Sequence, residues 1–571
     1  MTRVRIVIWA VSGIFLFLIF GLLNLELIHG KDYQDLGNKN CVRLVSQNGS
    51  RGNIIDRDGA VIAGNSLSYD LMILPQDNLQ REKIILSASR ILGLSADYLR
   101  KAFKRGYISS SVPVTLARNI KVKEAIALAE LKVDLPAIIV QPNPLRDYPN
   151  GKLAANVLGY ISEIDRWRLT KLEDYGYKTK DIVGFGGVEE KYDYYLRQDE
   201  GGVSFEVDHR GKIIRTLGFK PPVNGKDIQL SLNIKIQKIA ETALSDRQGA
   251  VVIMDPYTGE IFAMASSPGF SPAVFAEKNN NEIARLFNDP RSLLINRAIS
   301  SAYPAGSVFK IIVGAAALET KKINQNTSFL CQGSTRVGNR DFKCWSTHGV
   351  QNLEGALIHS CDVFFYRAGL LTGAQGVHDY ALKFGLSKIT SFELPYEDCG
   401  FIPSPLWRKI NKFKNWYDGD TANLSIGQGD VLVTPLQITR MMAVIANGGY
   451  LVTPYIVKAI DGHDISIYQQ KSEKLNLKKN TLEHIKNALR EVVSDSTGTA
   501  NVLSNLPVAL AGKTSTAQAP PGQPHAWFAG FFPYSNPRFV ICVLLEHGGP
   551  GYISCVTTKE IVQEMSNQGL I

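Results

Sequence analysis

The sequence predicts a mixed α/β protein of the α+β type that carries one membrane-spanning helix near its start. Residues 6–23 contain no charged side chain, and an apolar run of this length is enough to cross a bilayer. Apolar runs and alternation predict two groups of antiparallel strands, at 227–232 and on either side of a turn at 256–259 within 249–265, and again at 527–532 and 538–545. Helical segments lie between the two groups, so we expect a sheet packed against a helical core, as an α/β sandwich.

Size and charge limit the classes of function. At 571 residues the chain is too long for one ordinary domain, and we expect two or three. With 63 Lys and Arg against 53 Asp and Glu, its net charge is +10, which suits anionic partners such as phospholipid or cell-wall polymer. We recognise no nucleic-acid-binding module and expect no nucleic acid among the partners.

The apolar segment at 6–25 is predicted to be an uncleaved membrane anchor. Arg3 and Arg5 precede it, so the positive-inside rule places residues 1–5 in the cytoplasm and the rest of the chain outside. The alternative is a cleaved signal peptide. The apolar run is long for a signal, however, and residues 21–28 offer no convincing small-x-small cleavage site.

The region between the anchor and residue 225 has the pattern of a scaffold without a catalytic cluster. Turn signals around 51–59 predict a hairpin, and the other predicted elements are a helical spacer at 24–45, helices at 81–92, 96–104 and 121–131, a turn-rich stretch and then a helix at 142–159, and a glycine-led helix at 186–196. The pattern changes at about residue 226. We therefore predict one domain at 45–225 and a second at 226–571, which ends in a helix at 558–565.

The most informative motif is Ser307-Val-Phe-Lys310. A turn of small residues precedes it and an Ala-rich run follows, which places Ser307 in the first turn of a buried helix and Lys310 one turn later on the same face. The N–H groups and the dipole of a helix start favour a developing oxyanion. An amine of lowered pKa can take the serine proton. This combination is typical of serine acyltransferases, although S-x-x-K alone also occurs by chance.

Two further motifs suit the same chemistry. Ser360-Cys361-Asp362 supplies a second hydroxyl, which can pass a proton to a leaving amine. Lys513-Thr-Ser-Thr516 is predicted on a strand, where a cation and hydroxyls can hold a substrate carboxylate and a backbone N–H can complete an oxyanion hole.

With these motifs, the chain resembles the penicillin-binding proteins of class B over nearly its whole length, and most closely their elongation-specific type rather than the septal type. The resemblance rests on further blocks: Arg51-Gly-Asn-Ile-Ile-Asp-Arg57, Asn296-Arg-Ala298, Gly427-Gln-Gly429, Thr434-Pro-Leu-Gln437, His525-Ala-Trp-Phe-Ala-Gly-Phe531 and Glu546-His-Gly-Gly549. It implies an elongated pedestal domain, also called the dimerisation domain, at 45–225. It also implies a β-lactamase-like serine transpeptidase domain at 226–571.

The resemblance implies a peptidoglycan D,D-transpeptidase that works during cell elongation and binds β-lactams. Ser307 would attack the penultimate D-Ala of a stem peptide, and Lys310, kept neutral by neighbouring positive charge, would be its base. Ser360 and Lys513 would relay the proton to the leaving D-Ala. The N–H groups of Ser307 and Thr516 would bind the oxyanion. Asp362, Thr514, Ser515 and Thr516 would bind the substrate.

The sequence departs from the family pattern at two of these positions. Asp362 stands where many members have Asn, and an ionised Asp cannot donate a hydrogen bond. Ser515 replaces the Gly of the usual K-T-G motif, and its side chain either crowds the edge where the substrate lies or points behind the strand. Farther along, His525 and Trp527 alternate on a predicted strand, and we expect core packing rather than substrate contact for both.

The cysteines predict a metal site. There are seven, an odd number that argues against a complete set of disulfides. Cys331, Cys344, His348 and Cys361 lie between the first two motifs, and three thiolates with one imidazole suit a closed tetrahedral zinc site. Some elongation-type members carry zinc here with the same His-to-Cys separation, although their first two ligands are carboxylates. The alternative is a Cys331–Cys344 disulfide, formed in an oxidising periplasm. The chemistry itself needs no cofactor.

Two other functions share these residues. A D,D-carboxypeptidase or β-lactam-sensing hydrolase would use the same acyl-enzyme, and an inactive scaffold would keep the fold alone. The anchor and the large pedestal favour the transpeptidase. The resemblance also implies a RodA-type glycan polymerase and an elongation scaffold as partners. It places the protein in the bacterial inner membrane with its catalytic domain in the periplasm.

Overall fold

The computed structural model describes residues 2–33, 42–75, 78–108, 112–207, 213–245 and 247–571. The chain forms two compact units. The first unit comprises Met1–Arg51, Asn65–Leu145 and Arg197–Gly225, and the second unit comprises Gly52–Gly64, Arg146–Leu196 and Lys226–Ile571.

The first helix, α1, extends from Thr2 to Leu23 and continues into a π-helical turn at Asn24–Ile28. None of its residues is buried. Within the described part of the chain, this is the one helix that is long and apolar enough to cross a membrane. The helical spacer predicted at 24–45 is wrong at its end, because Val42–Gln47 is a strand; residues 34–41 of that prediction lie outside the described residues.

The rest of the first unit contains two antiparallel arrangements of strands and three helices. The strands β1 (Val42–Gln47), β8 (Gly201–Val207) and β9 (Ile213–Lys220) form one sheet in that order. The strand β3 (Val61–Ile73) pairs with β4 (Val114–Ile120) and with β5 (Ile138–Asp147). The helices are α2 (Asn78–Leu92), α3 (Ala96–Gly106) and α4 (Val122–Glu130), close to their predicted positions. Leu71, Ile84, Leu99, Leu116 and Leu128 belong to the apolar core beneath them.

The second unit begins with the predicted hairpin, in which β2 (Ile54–Ile55) pairs with Val61 and Ala63 at the start of β3. On its other side β2 pairs with β10 (Ile228–Leu230), which is followed by β18 (Val457–Ile460) and β19 (His463–Asp464). The segment 146–196 adds the strand pair β6 (Tyr160–Glu163) and β7 (Ile182–Phe185), and the short helices α5 (Ala155–Leu158), α6 (Arg166–Leu172), α7 (Gly187–Lys191) and α8 (Asp193–Leu196). The prediction of a turn-rich stretch from residue 142 is wrong as far as Asp147, because these residues belong to β5, which ends there.

A buried ion pair holds the early segments of the second unit together. Arg146 Nε lies 2.7 Å from Glu189 Oε1, and both side chains are almost completely shielded from solvent. Arg146 Nη1 also donates to the carbonyl oxygens of Gly52 and Gly64. Segments 52–64 and 146–196 therefore pack with the second unit, although the sequence assigns them to the domain at 45–225. The domain boundaries themselves stay predictions.

The centre of the second unit is a five-stranded antiparallel sheet. Its order is β12 (Ile261–Ser267), β11 (Gly249–Met254), β23 (Phe539–Leu545), β22 (His525–Phe532) and β21 (Ala511–Ala517), so β21 forms one edge.

Helices cover both faces of this sheet. Val251 and Ile253 pack on one side with α9 (Ile234–Leu244) and α21 (Tyr552–Asn567). Val252 and Met254 face the helical core, which contains α12 (Lys310–Glu319), α18 (Pro435–Ala446) and α20 (Lys479–Ser494). Because successive side chains point to opposite faces and both faces are buried, these strands appear in the sequence as continuous apolar runs. The predicted α/β sandwich with a helical core is confirmed.

The remaining elements of the second unit surround the helical core. The helices are α10 (Ala273–Ala276), α11 (Asn280–Asn288), α13 (Leu353–Ile358), α14 (Asp362–Thr372), α15 (Ala374–Lys383), α16 (Pro405–Lys412), α17 (Asp418–Ser425) and α19 (Ser466–Gln469). The strand pairs are β13 (Phe329–Cys331) with β16 (Gly349–Gln351), β14 (Ser334–Val337) with β15 (Arg340–Lys343), and β17 (Tyr450–Val452) with β20 (Ser472–Lys474).

Candidate active site

Ser307 lies where the sequence predicts it, in the first turn of a helix. A 3₁₀ turn at Gly306–Phe309 leads directly into α12. Gly306 has a φ of +56°, and a Cβ atom there would lie 2.3 Å from the hydroxyl oxygen of Ser515, so this position requires glycine. The Ser307 side chain is half-buried just before the start of α12, a helix that is itself almost entirely buried.

Lys310 is completely buried one turn beyond Ser307. Its Nζ atom donates to the Ser360 carbonyl oxygen at 2.7 Å and to the Ser360 hydroxyl at 3.2 Å. It also forms an ion pair with Asp362, with 2.6 Å between Nζ and Oδ1. Among the described residues, no hydrogen bond joins Nζ to the Ser307 hydroxyl. The structure thus brings the first and second motifs together through Lys310.

Ser360 lies in the short connection between α13 and α14. Its φ is +54°, a left-handed conformation that is unusual for a residue with a side chain and often marks a functional site. Only 7% of its surface is exposed. This tight connection allows α14 to begin at Asp362, so that the carboxylate and the Ser360 hydroxyl both reach the same lysine.

The third motif occupies the edge strand β21, and its side chains alternate between two sides. The Thr514 hydroxyl donates to Thr499 Oγ1 at 2.8 Å, and the Thr516 hydroxyl accepts from the Gly551 N–H at 2.9 Å. Ser515 is 2% exposed, and its hydroxyl donates to the Ala305 carbonyl oxygen at 2.9 Å. Its side chain therefore points behind the strand, and its hydroxyl is not available to a substrate.

Lys513 shares the buried side of β21 and is completely shielded from solvent. Its Nζ atom donates to the Thr514 carbonyl oxygen at 3.3 Å. Burial first, and then the positive charge of Lys310, hold the pKa of Lys513 well below its usual range.

One cleft of about 1080 Å³ borders all three motifs. Beside Ser307, Ser360, Asp362 and Thr514–Thr516, it is lined by residues of β15 and the turn after it, of α17 and its C-terminal end, of the loop between β21 and β22, and of the connection from β23 into α21: Asp341, Phe342, Lys343, Trp345, Asn423, Ile426, Gln428, Gln518, Ala519, Pro520, Pro521, Gly522, Pro524, Pro550, Gly551 and Tyr552. A cleft of this size, lined by hydroxyl groups from all three motifs, can take a substrate of the size of a short peptide.

The four predicted metal ligands also meet. Cys331, Cys344, His348 and Cys361 have ligand atoms within 4.8 Å of one another. His348 Nδ1 lies 3.6 Å from Cys331 Sγ and 3.5 Å from Cys344 Sγ. All three cysteines are free thiols, without the alternative disulfide. A hydrogen bond from the Cys361 thiol lowers the pKa of Cys344 to about 4.

This Cys/His cluster is joined to the second motif. Cys361 lies between Ser360 and Asp362 in the chain, and Cys344 Sγ accepts the N–H of Asp362 at 3.3 Å. The cluster therefore fixes the start of α14, from which Asp362 reaches Lys310.

Thr499 is a residue of the site that belongs to none of the sequence motifs. Thr499 borders the cleft and accepts the Thr514 hydroxyl hydrogen bond. It lies in a polar turn after α20, and no motif distinguishes it from the other hydroxyls there. The predicted burial of His525 and Trp527 is confirmed, since they are 7% and 0% exposed.

This arrangement can carry out acyl transfer. A hydroxyl at a helix start lies one turn from a buried amine, a second hydroxyl lies within hydrogen-bonding distance of that amine, and an edge strand offers N–H and hydroxyl groups beside both.

Comparison with known proteins agrees with this chemistry. The family described as penicillin binding protein transpeptidase domain matches residues 249–566, and the penicillin-binding protein dimerisation domain matches residues 46–230. The peptidoglycan D,D-transpeptidase MrdA of Escherichia coli K12 is 31% identical over 568 residues, which cover 94% of this chain and 89% of MrdA. MrdA of Acinetobacter baumannii is 30% identical and covers 94% of this chain and 83% of its own.

Solved structures show the same similarity. The penicillin-binding protein PBP2 of Helicobacter pylori, in its complex with MreC, is 27% identical, with a TM-score of 0.82 over 93% of this chain and 99% of that chain. PBP2 of Pseudomonas aeruginosa in complex with WCK 5153 is 25% identical, with a TM-score of 0.69 over 91% of this chain and 96% of that chain. Since one family covers more than half of the chain and a relative is 31% identical along nearly all of it, the chain belongs to the penicillin-binding proteins, in the branch of MrdA and PBP2.

Proposed function

We propose that this protein is a peptidoglycan D,D-transpeptidase that cross-links stem peptides during cell elongation and is acylated by β-lactams. The observation that carries the proposal is the convergence of Ser307, Lys310, Ser360 and β21 on one cleft, from segments far apart in the sequence. The MrdA relatives are named D,D-transpeptidases, and that name describes the same reaction.

In this proposal Ser307 attacks the penultimate D-Ala carbonyl of the donor peptide. Its Oγ–C bond forms, its proton passes to Lys310, and the oxyanion is held by the N–H groups of Ser307 and Thr516. Lys310 forms an ion pair with Asp362 in the resting site. Lys310 must therefore lose its proton to Asp362 or through Ser360 before it can act as the base.

The departing D-Ala amine needs a proton as the C–N bond breaks. Ser360 is placed to supply it, because its hydroxyl lies 3.2 Å from Lys310 Nζ and borders the cleft. Burial lowers the pKa of Lys513, which makes its ammonium group a better proton donor than that of an exposed lysine. Ser360 then takes the proton that Lys310 received from Ser307. An acceptor amine attacks the acyl-Ser307, so that the C–N bond of the cross-link forms and the Oγ–C bond breaks, and the proton that the amine loses returns to Ser307 Oγ.

The donor carboxylate is assigned to Thr514 and Thr516, whose hydroxyls border the cleft, and Asp362 is assigned to its amide side. Ser515, the fourth predicted substrate residue, keeps its place beside the cleft, but its hydroxyl is already bonded to Ala305. A contact through the Ser515 side chain is therefore not part of the proposal.

Labelling with a fluorescent penicillin tests the activity. We expect one stable label per chain, mapped to Ser307 and absent from Ser307→Ala. Lys310→Met should slow labelling by about 10²–10⁴-fold, the usual contribution of a general base. An unlabelled wild-type protein would support an inactive scaffold instead, and rapid loss of the label would support a hydrolase.

We further propose that the Cys/His cluster binds a structural zinc ion. With Zn–S of about 2.3 Å and Zn–N of about 2.0–2.1 Å at tetrahedral angles, sulfur and nitrogen ligands lie about 3.5 Å apart. The two distances from His348 Nδ1, 3.5 and 3.6 Å, match this value. The ion would close the connection before α14 and leave the acyl transfer to the residues named above.

Metal analysis of the purified protein tests the zinc proposal. We expect about one zinc per chain in the wild type and none in Cys344→Ser. Protein without zinc that carries a mapped Cys331–Cys344 disulfide would overturn it.

We also propose that α1 anchors the protein in the cytoplasmic membrane, with the chain that follows it on the periplasmic side. The support is the apolar helix itself and the arginines at positions 3 and 5. A reporter that is active only outside the cytoplasm should give a signal when fused to the C-terminus. A signal from a cytoplasmic reporter instead would reverse the orientation.

As partners we propose a RodA-type glycan polymerase and an elongation scaffold. Similar solved chains include PBP2 with MreC and a peptidoglycan synthase complex that coordinates polymerization and crosslinking. Co-purification of the full chain with such a polymerase, retained in Ser307→Ala, tests this. Failure of both to co-purify would contradict it.

A further inference from the structure

The turn that precedes Ser307 is held by two side chains from neighbouring strands. Trp527 on β22 donates its indole N–H to the Pro304 carbonyl oxygen at 3.1 Å. Ser515 on β21 donates its hydroxyl to the next carbonyl, that of Ala305, at 2.9 Å. Both donors are buried, so water does not compete for these carbonyl groups.

The same turn is fixed by main-chain hydrogen bonds on its other side. Tyr303 exchanges two hydrogen bonds of 2.9 Å with Val433, and the Gly306 N–H donates to the Gly427 carbonyl oxygen at 2.8 Å. Every residue from Tyr303 to Gly306 is thus held through at least one main-chain group. Such a turn has little freedom to move Ser307.

Ser515 differs from the other restraints because it joins this turn to β21. The strand β21 is an edge, with β22 as its only partner in the sheet. Within the described residues, the bond from Ser515 to Ala305 is the single hydrogen bond between β21 and the turn 303–306. The Ser515 hydroxyl also fills the space where a side chain at Gly306 would lie.

We propose that Ser515 is a positioning residue that sets the separation between the Ser307 N–H and the Thr516 N–H. The inference rests on the proposed function, which assigns these two groups to the oxyanion. Ala305 precedes Ser307 by two residues and Ser515 precedes Thr516 by one, so their hydrogen bond is a short link between the two halves of the oxyanion hole. The serine that replaces the usual glycine of this motif thus has a role that glycine, without a hydroxyl, cannot fill.

The expected consequence lies in the rate of acylation rather than in binding. Oxyanion donors act mainly on the transition state, and a small displacement of a reacting group is costly for the rate. The Ser515 hydroxyl is bonded to the Ala305 carbonyl oxygen and the residue is 2% exposed, so binding of the β-lactam before acylation should change little.

The test uses the full chain in detergent and a chromogenic cephalosporin, with the acylation rate constant and the binding constant measured separately by stopped flow. In Ser515→Ala and Ser515→Gly we expect acylation to slow by about tenfold and the binding constant to stay within about twofold. Ser231→Ala is the matched control, because the buried Ser231 hydroxyl also donates to a main-chain carbonyl, that of Ile261 at 2.8 Å, away from the cleft.

The outcomes separate this inference from the proposed function. If both Ser515 variants acylate as fast as Ser231→Ala, or if they lose binding rather than rate, the positioning role is wrong while the acyl-enzyme mechanism stands. If the wild type itself is not acylated at Ser307, the proposed function fails first. Melting temperatures that fall equally in Ser515→Ala and Ser231→Ala, with acylation slowed only in the former, are the result we expect.

Discussion

The Nζ atom of Lys310 lies 2.6 Å from Oδ1 of Asp362, and the two side chains differ sharply in exposure, at 0% and 18%. The lysine is enclosed by the helical core, whereas the carboxylate borders the cleft and reaches solvent. This ion pair adds a charge to the hydrogen bonds that already join Lys310 to Ser360 in the second motif, where many relatives have Asn instead of Asp362.

The ion pair predicts an asymmetric effect on stability. Asp362→Asn should destabilise the protein by about 2 kcal/mol, because it leaves a buried ammonium without its counter-charge. Lys310→Met should cost about 1 kcal/mol or less, since the remaining carboxylate can be hydrated. The double variant should be no less stable than Asp362→Asn alone. Urea unfolding of the four proteins measures this, and single effects that add to within about 0.5 kcal/mol would show that the pair is not coupled.

We predict that replacing Thr499, which belongs to none of the sequence motifs, weakens the binding of a β-lactam. Thr499→Val keeps the shape of the side chain but removes the acceptor that orients the Thr514 hydroxyl. We expect about threefold to tenfold weaker binding of a β-lactam before acylation, in line with the loss of one hydrogen bond. Thr439→Val is a suitable control, because the buried Thr439 hydroxyl donates to Pro435 within α18 and does not border the cleft. Equal binding in the two variants would contradict the role of Thr499.

The Cys/His cluster predicts that the half-buried Cys344 matters far more than the fully buried Cys542. Cys344→Ala should lower the melting temperature by about 5 °C or more and slow acylation, because it removes a proposed zinc ligand and the acceptor of the Asp362 N–H. Cys542→Ala, at a buried cysteine on β23 outside the cluster, should leave acylation unchanged. Thermal unfolding and penicillin labelling of both variants test this prediction. Similar losses in both would mean that general packing explains the effect.

The buried carboxyl group of Glu241 should make the free energy of unfolding depend on pH. Burial raises the pKa of its carboxyl group from 4.5 to about 7, while the Ala154 N–H and the Gln237 amide donate to it. Since the folded-state pKa is the higher one, the stabilising contribution is fully present below about pH 4.5 and is lost as the pH rises through about 7. The loss amounts to about 3 kcal/mol, at about 1.4 kcal/mol for each tenfold change in proton affinity.

Glu241→Gln provides the comparison for this prediction. The amide keeps an acceptor for the Ala154 N–H and does not titrate in this range, so the variant should not lose stability between pH 4.5 and 7 through this site. Unfolding free energies measured across that range for both proteins should therefore diverge as the pH rises. Parallel curves would contradict the assignment.

Much of the fold and of the site follows from local sequence. The helix at Lys310–Glu319 and the strands at Gly249–Met254 and Phe539–Leu545 were predicted because apolar periodicity and turn residues are local signals. The predictions of a helical spacer and of a turn-rich stretch are wrong where residues with ambiguous patterns pair as strands, in β1 and β5. Strand pairing depends on a distant partner, which the local sequence does not show.

By itself, the sequence determined the reaction class: the hydroxyl and amine of Ser307 and Lys310, the second hydroxyl at Ser360, and the cation on a strand at Lys513 are chemical types at fixed spacings. Only the tertiary structure decided what each side chain does with its neighbours. It turned Ser515 towards Ala305 rather than towards the cleft, paired Lys310 with Asp362, and buried Lys513 so that its pKa falls. The reason is physical: the direction of a side chain, its burial and its nearest charge arise from segments about 50 to 200 residues apart that meet only in the packed domain.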